Sequence, residues 1–321
     1  MNPYRAPWWL PGGHAQTIIP ARVLPAPSIQ YRRERWETPD GDFIDVDFAT
    51  PEPSFPNAPL MVLFHGLEGD SRSHYARILM QGCCRHSWLG MVVHFRGCGG
   101  EANRLPRAYH SGDSEEINWI LRRVALRWPQ AQRFAVGVSL GGNVLAKWAG
   151  ESGQQANSIV TACATVSAPF DLVAGGLALD CGINVIYSRL FLQTMRKKAI
   201  DKAQQFPGLF DAHRVGASRS MYAFDDAYTA PVHGFDGALD YWNQASAKPL
   251  LAAVAVPMLA LNAHNDPIVP AHSLPGRAQI SRHVQQDLPQ EGGHVGFFTR
   301  DCSLDCWYFR ERIFHFFQTG T

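Results

Sequence analysis

The chain has 321 residues, long for one average domain and usual for a large single α/β unit that carries an insertion. Hydrophobic residues make up 46% and charged residues 18%, the balance of a globular chain with a sizeable core. A formal net charge of +1 excludes the basic excess of a nucleic-acid surface, and the absence of any uncharged apolar run of about 18 residues excludes a membrane-spanning helix.

Residues 1–28 read as an N-terminal arm. Met1-Asn2-Pro3-Tyr4-Arg5 opens no apolar run of the kind a secretory leader needs, which predicts a cytoplasmic protein. Trp8, Trp9 and Leu10 suit an arm packed over the body, or contact with a lipid or partner surface. Strands are expected at Tyr31–Glu37 and Phe43–Ala49, with Pro39-Asp40-Gly41 turning a hairpin between them. Further strands are expected at Leu60–Phe64, Met91–Phe95, Phe134–Gly137, Ile159–Val166, Met258–Leu261 and Val284–Leu288. Helices are expected at His74–His86, Ser114–Arg127, Leu140–Glu151 and Trp307–Phe317. The alternation predicts a mostly parallel eight-stranded sheet wrapped by helices, with an antiparallel start. Three segments follow: a first core part at 1–168, a helical cap at 169–248 inserted between the sixth and seventh strands, and a second core part at 249–321.

Within the insertion, Ile183, Ile186, Tyr187, Leu190, Phe191, Thr194 and Met195 recur at helical spacing, with Arg189, Gln193, Arg196 and Lys197 opposite. That face either packs on the core or in part lines an acyl pocket. Few acids lie near Leu177, Leu179, Ile186, Tyr187, Leu190 and Phe191, so the pocket is expected to be mainly apolar, and Arg196-Lys197-Lys198 reads as a solvated face. The seven cysteines lack CxxC spacing, and Cys302 and Cys306 have no partners in zinc-ligand spacing. They read as reduced thiols, with Cys83, Cys84 and Cys163 as small core residues, and no metal or organic cofactor is expected. Gly97-Cys98-Gly99-Gly100 does not have the spacing of a dinucleotide loop.

The chemistry is signalled by Gly137-Val138-Ser139-Leu140-Gly141, a G-x-S-x-G at the end of the apolar run Phe134-Ala135-Val136 and before a helical segment. Strand, sharp turn and helix are what a nucleophile elbow requires, with Ser139 in strained backbone and glycines where only hydrogen fits. A serine nucleophile needs a base, and the base needs an orienting acid. Asp266 lies on a loop after the strand Met258–Leu261, and His294 lies between glycines on a loop before the last helix. The order Ser139, Asp266, His294 is that of an elbow hydrolase. Asp287 and Glu291 are too close in sequence to His294 to reach behind its ring. Oxyanion donors are expected at the N–H of Leu140 and, through the turn Gly66 permits, at the N–H of Leu67. His65 is expected to orient that loop rather than act as a second base.

Through nearly its whole length the chain resembles the YheT-like α/β-hydrolases, a branch of predicted esterases and acyltransferases with bacterial and eukaryotic members. The likeness is carried by Trp9-Leu10-Pro11-Gly12-Gly13-His14-Ala15-Gln16-Thr17, His65-Gly66-Leu67-Glu68-Gly69, His94-Phe95-Arg96-Gly97-Cys98-Gly99-Gly100 and Tyr109-His110-Ser111-Gly112-Asp113. The elbow, Phe224-Asp225-Asp226, His233-Gly234-Phe235 and Gly292-Gly293-His294-Val295-Gly296-Phe297 complete it. The resemblance implies the α/β-hydrolase fold and the same triad, Ser139, Asp266 and His294. The expected activity is hydrolysis of small-molecule carboxylic esters of short to medium acyl length. Acyl transfer to an alcohol on the same triad, and a non-catalytic binding protein on the same fold, are the alternatives. Peripheral membrane contact and oligomeric state are left open.

Overall fold

A computed structural model describes residues 3–55, 57–299 and 307–320. Its strands are β1 (Gln30–Glu37), β2 (Phe43–Thr50), β3 (Leu60–Phe64), β4 (Leu89–His94), β5 (Arg133–Val138), β6 (Ala162–Val166), β7 (Met258–Leu261) and β8 (Val284–Asp287). They form one sheet in the order β1-β2-β4-β3-β5-β6-β7-β8. β1 pairs antiparallel with β2 and β2 antiparallel with β4, with Trp36 opposite Ile44 and Val46 opposite Val93. Every other neighbouring pair is parallel. This is the expected α/β-hydrolase sheet with its antiparallel start.

The helices are α1 (Gly12–Arg22), α2 (His74–Arg85), α3 (Ser114–Arg127), α4 (Leu140–Ser152), α5 (Ala156–Ile159), α6 (Leu172–Leu179), α7 (Val185–Gln205), α8 (Ala212–Ala217), α9 (Met221–Phe224), α10 (Ala230–His233), α11 (Ala238–Ala245) and α12 (Tyr308–Thr319). None of them is long and apolar enough to cross a membrane. The central strands are continuous apolar runs because both sheet faces are covered. Leu60, Val62 and Phe64 of β3 pack with residues of α3 and α4, whereas Met61 and Leu63 pack with residues of α2 and α12.

Two local expectations are corrected. Ile159 begins no strand: Ala156–Ile159 is the short helix α5 and β6 starts at Ala162. Ile159 and Val160 are buried under the sheet rather than in it, and a short apolar run cannot by itself separate those fates. The N-terminal arm, for its part, contains α1, which Gly12, Gly13 and Pro20 disguise in the sequence.

Between β6 and β7, α6–α11 bury a cluster of their own that includes Leu172, Leu179, Leu192, Phe224, Tyr228 and Trp242. The inward face of α7 differs from the expected one. Tyr187, Ser188, Leu192, Ala199 and Lys202 are buried, while Ile183, Ile186 and Leu190 face solvent. Between α9 and α10 the chain makes a π-helical turn, Asp225–Thr229. Of the cysteines, Cys83 and Cys163 are buried and Cys84 is part-buried; Cys302 and Cys306 lie outside the described residues.

Candidate active site

Ser139 sits between β5 and α4 with φ 52° and ψ −119°, a backbone conformation an L-residue rarely adopts. Close approach enforces the turn. A Cβ on Gly141 would lie 2.4 Å from Phe64 O and 2.5 Å from His65 O, so a larger residue would drive the elbow off β3. The Ser139 N–H is tied to Val166 O at 2.9 Å, anchoring the elbow on β6.

The loop after β7 and the loop before α12 bring Asp266 and His294 to the same place. His294 Nε2 is 2.9 Å from Ser139 Oγ, and His294 Nδ1 is 2.8 Å from Asp266 Oδ2. A carboxylate only accepts, so the ring proton belongs on Nδ1, and Nε2 is left to accept from the serine hydroxyl. Asp266 is buried and its other oxygen accepts the N–H groups of Ile268 (2.8 Å) and Val269 (3.1 Å), which fix the carboxylate plane. The two other acids near His294 are engaged elsewhere: Glu291 accepts from Gln16, and Asp287 accepts from Tyr308 and Arg312.

The N–H groups of Leu67 and Leu140 have no hydrogen-bond partner among the described residues. Leu140 opens α4, where unpaired N–H groups and the helix dipole favour negative charge. On the other side, a Cβ on Gly66 would come within 3.2 Å of Ser139 Cβ, so the turn after β3 lies against the serine. His65 is fully buried; its Nδ1 lies 2.7 Å from Gly66 O, and its Nε2 accepts the Phe95 N–H at 3.1 Å. Burial pushes its pKa down to about 3, so it is a neutral donor that braces the loop.

Several supporting residues carried no chemical signal of their own in the sequence. Gln16 Oε1 accepts from Gly292 N–H and Asn265 Nδ2, and Asn265 Oδ1 accepts from Gly293 N–H. Thr17 Oγ1 accepts the His294 N–H, and Ser167 Oγ accepts the Val295 N–H. Asn143 on α4 ties Ser111 and Ala245 to the elbow helix. All of these contacts join segments far apart in sequence.

A cavity of about 190 Å³ opens on Ser139, Leu140 and His294. Its lining is mainly apolar and includes Leu172, Leu179, Phe191, Met221, Phe224 and Trp242. Of the residues expected there, Leu179 and Phe191 line it, and Leu177, Ile186, Tyr187 and Leu190 do not. Glu68, Arg96, Asn103, Lys198 and Lys202 line it as well. Lys198, though half-exposed, also reaches inward: its ammonium meets Glu68. Lys202 is buried, and its ammonium donates to Asn103 O and Leu105 O, the latter at 2.6 Å. Gly97–Gly100 is a loop from which no helix opens directly. Among the described residues no group of three or more His, Cys, Asp or Glu side chains could hold a metal ion.

Residues 59–301 match the model of the alpha/beta hydrolase fold family. YheT of Escherichia coli (strain K12), named as a candidate esterase, is 37% identical over 88% of this chain and 84% of its own length. Human phospholipase ABHD3 is 29% identical over 90% of this chain and 72% of its own. Among solved structures, the Pyrococcus furiosus esterase Pf2001 superposes with a TM-score of 0.55 at 12% identity, over 92% of this chain and 97% of its own, a likeness of fold alone. A fold-family match across most of the chain, together with relatives of esterase and lipase type, identifies a hydrolase: the chain belongs to the α/β-hydrolase family, in its YheT-like branch.

Proposed function

We propose that this protein is a serine hydrolase of carboxylic esters. Ser139 attacks the acyl carbon while His294 Nε2 takes its proton, and the same proton then passes to the departing alkoxide. Asp266 holds the imidazole in the required tautomer and stabilises its protonated form. The N–H groups of Leu67 and Leu140 receive the oxyanion. Water, deprotonated by His294, attacks the acyl-enzyme and releases the acid. The observation that carries this reading is the continuous chain Ser139 Oγ, His294 Nε2, His294 Nδ1, Asp266 Oδ2, at 2.9 and 2.8 Å, on a serine held at positive φ.

The cavity supports an amphiphilic substrate. Its apolar lining suits an acyl chain of short to medium length, and polar side chains such as Asn103 and Ser111 share the cavity with it. A lipid ester fits such a lining, in keeping with the phospholipase name of the ABHD3 relative. The test is labelling of the full chain by a fluorophosphonate probe together with ester hydrolysis. Wild type should be labelled and active, and Ser139→Ala should be neither. A wild type that is inert to both the probe and a panel of esters would overturn the proposal. An alcohol added in the second step separates hydrolysis from acyl transfer by its ester product.

A further inference from the structure

The turn that carries the Leu67 N–H has an unusual third residue. Gly69 N–H closes it on Gly66 O at 2.9 Å, and Glu68 sits inside it at φ 55°. A turn with positive φ at that position ordinarily takes glycine or asparagine. A glutamate there is strained, and strain of this kind persists only where the surroundings impose it.

The surroundings are two tyrosines and a lysine. Tyr109 Oη accepts the Glu68 N–H at 2.9 Å and donates to Glu68 Oε1 at 2.8 Å. Tyr75 Oη accepts the Gly66 N–H at 2.9 Å. The N–H groups on either side of Leu67 are thus both held by tyrosine hydroxyls, and the Leu67 N–H between them is left without a partner. The lysine comes from the insertion: Lys198 Nζ on α7 meets both carboxylate oxygens of Glu68 at 2.9 Å. Among the described residues this is the one ion pair that joins residues 169–248 to the sheet-bearing core.

We infer that Lys198 and Glu68 are positioning residues through which the insertion completes the oxyanion site. With α7 docked, Lys198 draws the Glu68 carboxylate over Tyr109, and the middle peptide of the turn keeps its Glu68 N–H on the tyrosine hydroxyl. With α7 lifted, the carboxylate loses its cation. The strain at Glu68 is then free to relax, and the turn that presents the Leu67 N–H to the acyl oxygen is no longer held in place. Docking of the insertion and assembly of the site become one event, so acyl chemistry proceeds only over a covered substrate. This inference rests on the ester-hydrolase reading above.

The experiment compares the full-length wild type with Lys198→Met, Lys198→Arg, Glu68→Gln, Tyr109→Phe and the double variant Lys198→Met/Glu68→Gln on an uncharged p-nitrophenyl ester. Each variant is first checked by its melting temperature and circular dichroism. Lys198→Met should lower kcat at least tenfold with KM within twofold of wild type, and slow fluorophosphonate labelling of Ser139 in parallel. Lys198→Arg should recover most of kcat. The double variant should be no worse than the poorer single variant, because both break one link. Tyr109→Phe, which removes only a hydroxyl, should reproduce the kcat loss, and it decides the matter if a charge variant fails to fold. Wild-type kcat and labelling rate in the folded variants, with only the melting temperature lowered, would overturn the inference. So would a rise in KM alone, which would make Lys198 a direct contact of the substrate. If wild type itself is neither labelled nor active, the ester-hydrolase reading fails instead, a result distinct from wild type that labels and variants that label equally fast.

Discussion

The backbone N–H of His294 donates to Thr17 Oγ1 at 2.8 Å across 277 positions of sequence. The imidazole stands between Asp266 and Ser139, and a small rotation of its backbone would lengthen one of those bonds. α1 is thus a clamp on the histidine loop. Gly13 lets it approach, since a Cβ there would fall 1.9 Å from Asn265 O. Thr17→Val keeps the shape and removes the acceptor. It should lower kcat roughly tenfold, the equivalent of one hydrogen bond worth about 1.4 kcal/mol in the transition state, and Thr17→Ser should restore it. Unchanged kcat in Thr17→Val would reduce α1 to a packing element.

The nucleophile and acid assignments separate cleanly in kinetics. Ser139→Ala should retain the fold while kcat falls on the order of 10⁴-fold or more. Asp266→Asn should leave the loop in place, because Oδ1 can still accept from Ile268 and Val269. It should nevertheless favour the wrong imidazole tautomer and lower kcat steeply. Glu291→Gln should be nearly silent in kcat, since its carboxylate meets Gln16 rather than His294. A crippled Glu291→Gln beside an active Asp266→Asn would reverse the choice of acid.

Stability should fall in acid for a reason internal to the fold. Burial holds the pKa values of His65 and His110 down at about 3 and that of His74 at about 4, against an ordinary value of 6.5. Between those values the unfolded chain binds protons that the folded chain refuses, so stability rises with pH across this window and is lost as pH falls below about 6. Each histidine contributes on the order of 1.4 kcal/mol per pH unit there. Asp225 works in the opposite sense: burial raises its pKa to about 6, so between about 4 and 6 the folded form keeps a proton that the unfolded form releases. Urea unfolding at pH 4, 5, 6 and 7 should therefore give a midpoint that climbs with pH, and more steeply in Asp225→Asn. A midpoint independent of pH from 4 to 7 would show that these side chains reach solvent in the folded state.

The sheet and the grouping of Asp266 and His294 with Ser139 were legible because their signals are local. A strand buried on both faces is an apolar run, and an elbow is a five-residue pattern between a strand and a helix. The loops bearing Asp266 and His294 follow a strand and precede the last helix, respectively. Thr17, Gln16, Asn265, Tyr75 and Tyr109 were not legible, because each acts on backbone far away and nothing in its neighbourhood encodes the partner. The pairing of Lys198 with Glu68 was not legible for a related reason. Helical spacing places a residue on a face, but which face turns inward depends on packing. On α7 the inward stripe runs through Tyr187, Leu192, Ala199 and Lys202, leaving Ile186 and Leu190 outside. A buried lysine that donates to Asn103 O and Leu105 O breaks the apolar period from which the face was read.

Acyl-chain preference tests the cavity itself. Its lining includes Leu172, Leu179, Phe191, Met221, Phe224 and Trp242, and its volume is about 190 Å³. Each buried methylene contributes about 0.8 kcal/mol, or roughly fourfold, until the wall is reached. Across p-nitrophenyl esters, kcat/KM should therefore climb from acetate to hexanoate or octanoate and decline at longer lengths. Phe224→Ala should move the maximum to longer chains, and Leu179→Trp should move it to shorter ones, with KM changing more than kcat because neither side chain belongs to the triad. An enzyme that prefers acetate to octanoate, or whose optimum ignores both substitutions, would show that the acyl group binds elsewhere. The part of the lining formed by Glu68 and Lys198 would then be the place to look for it.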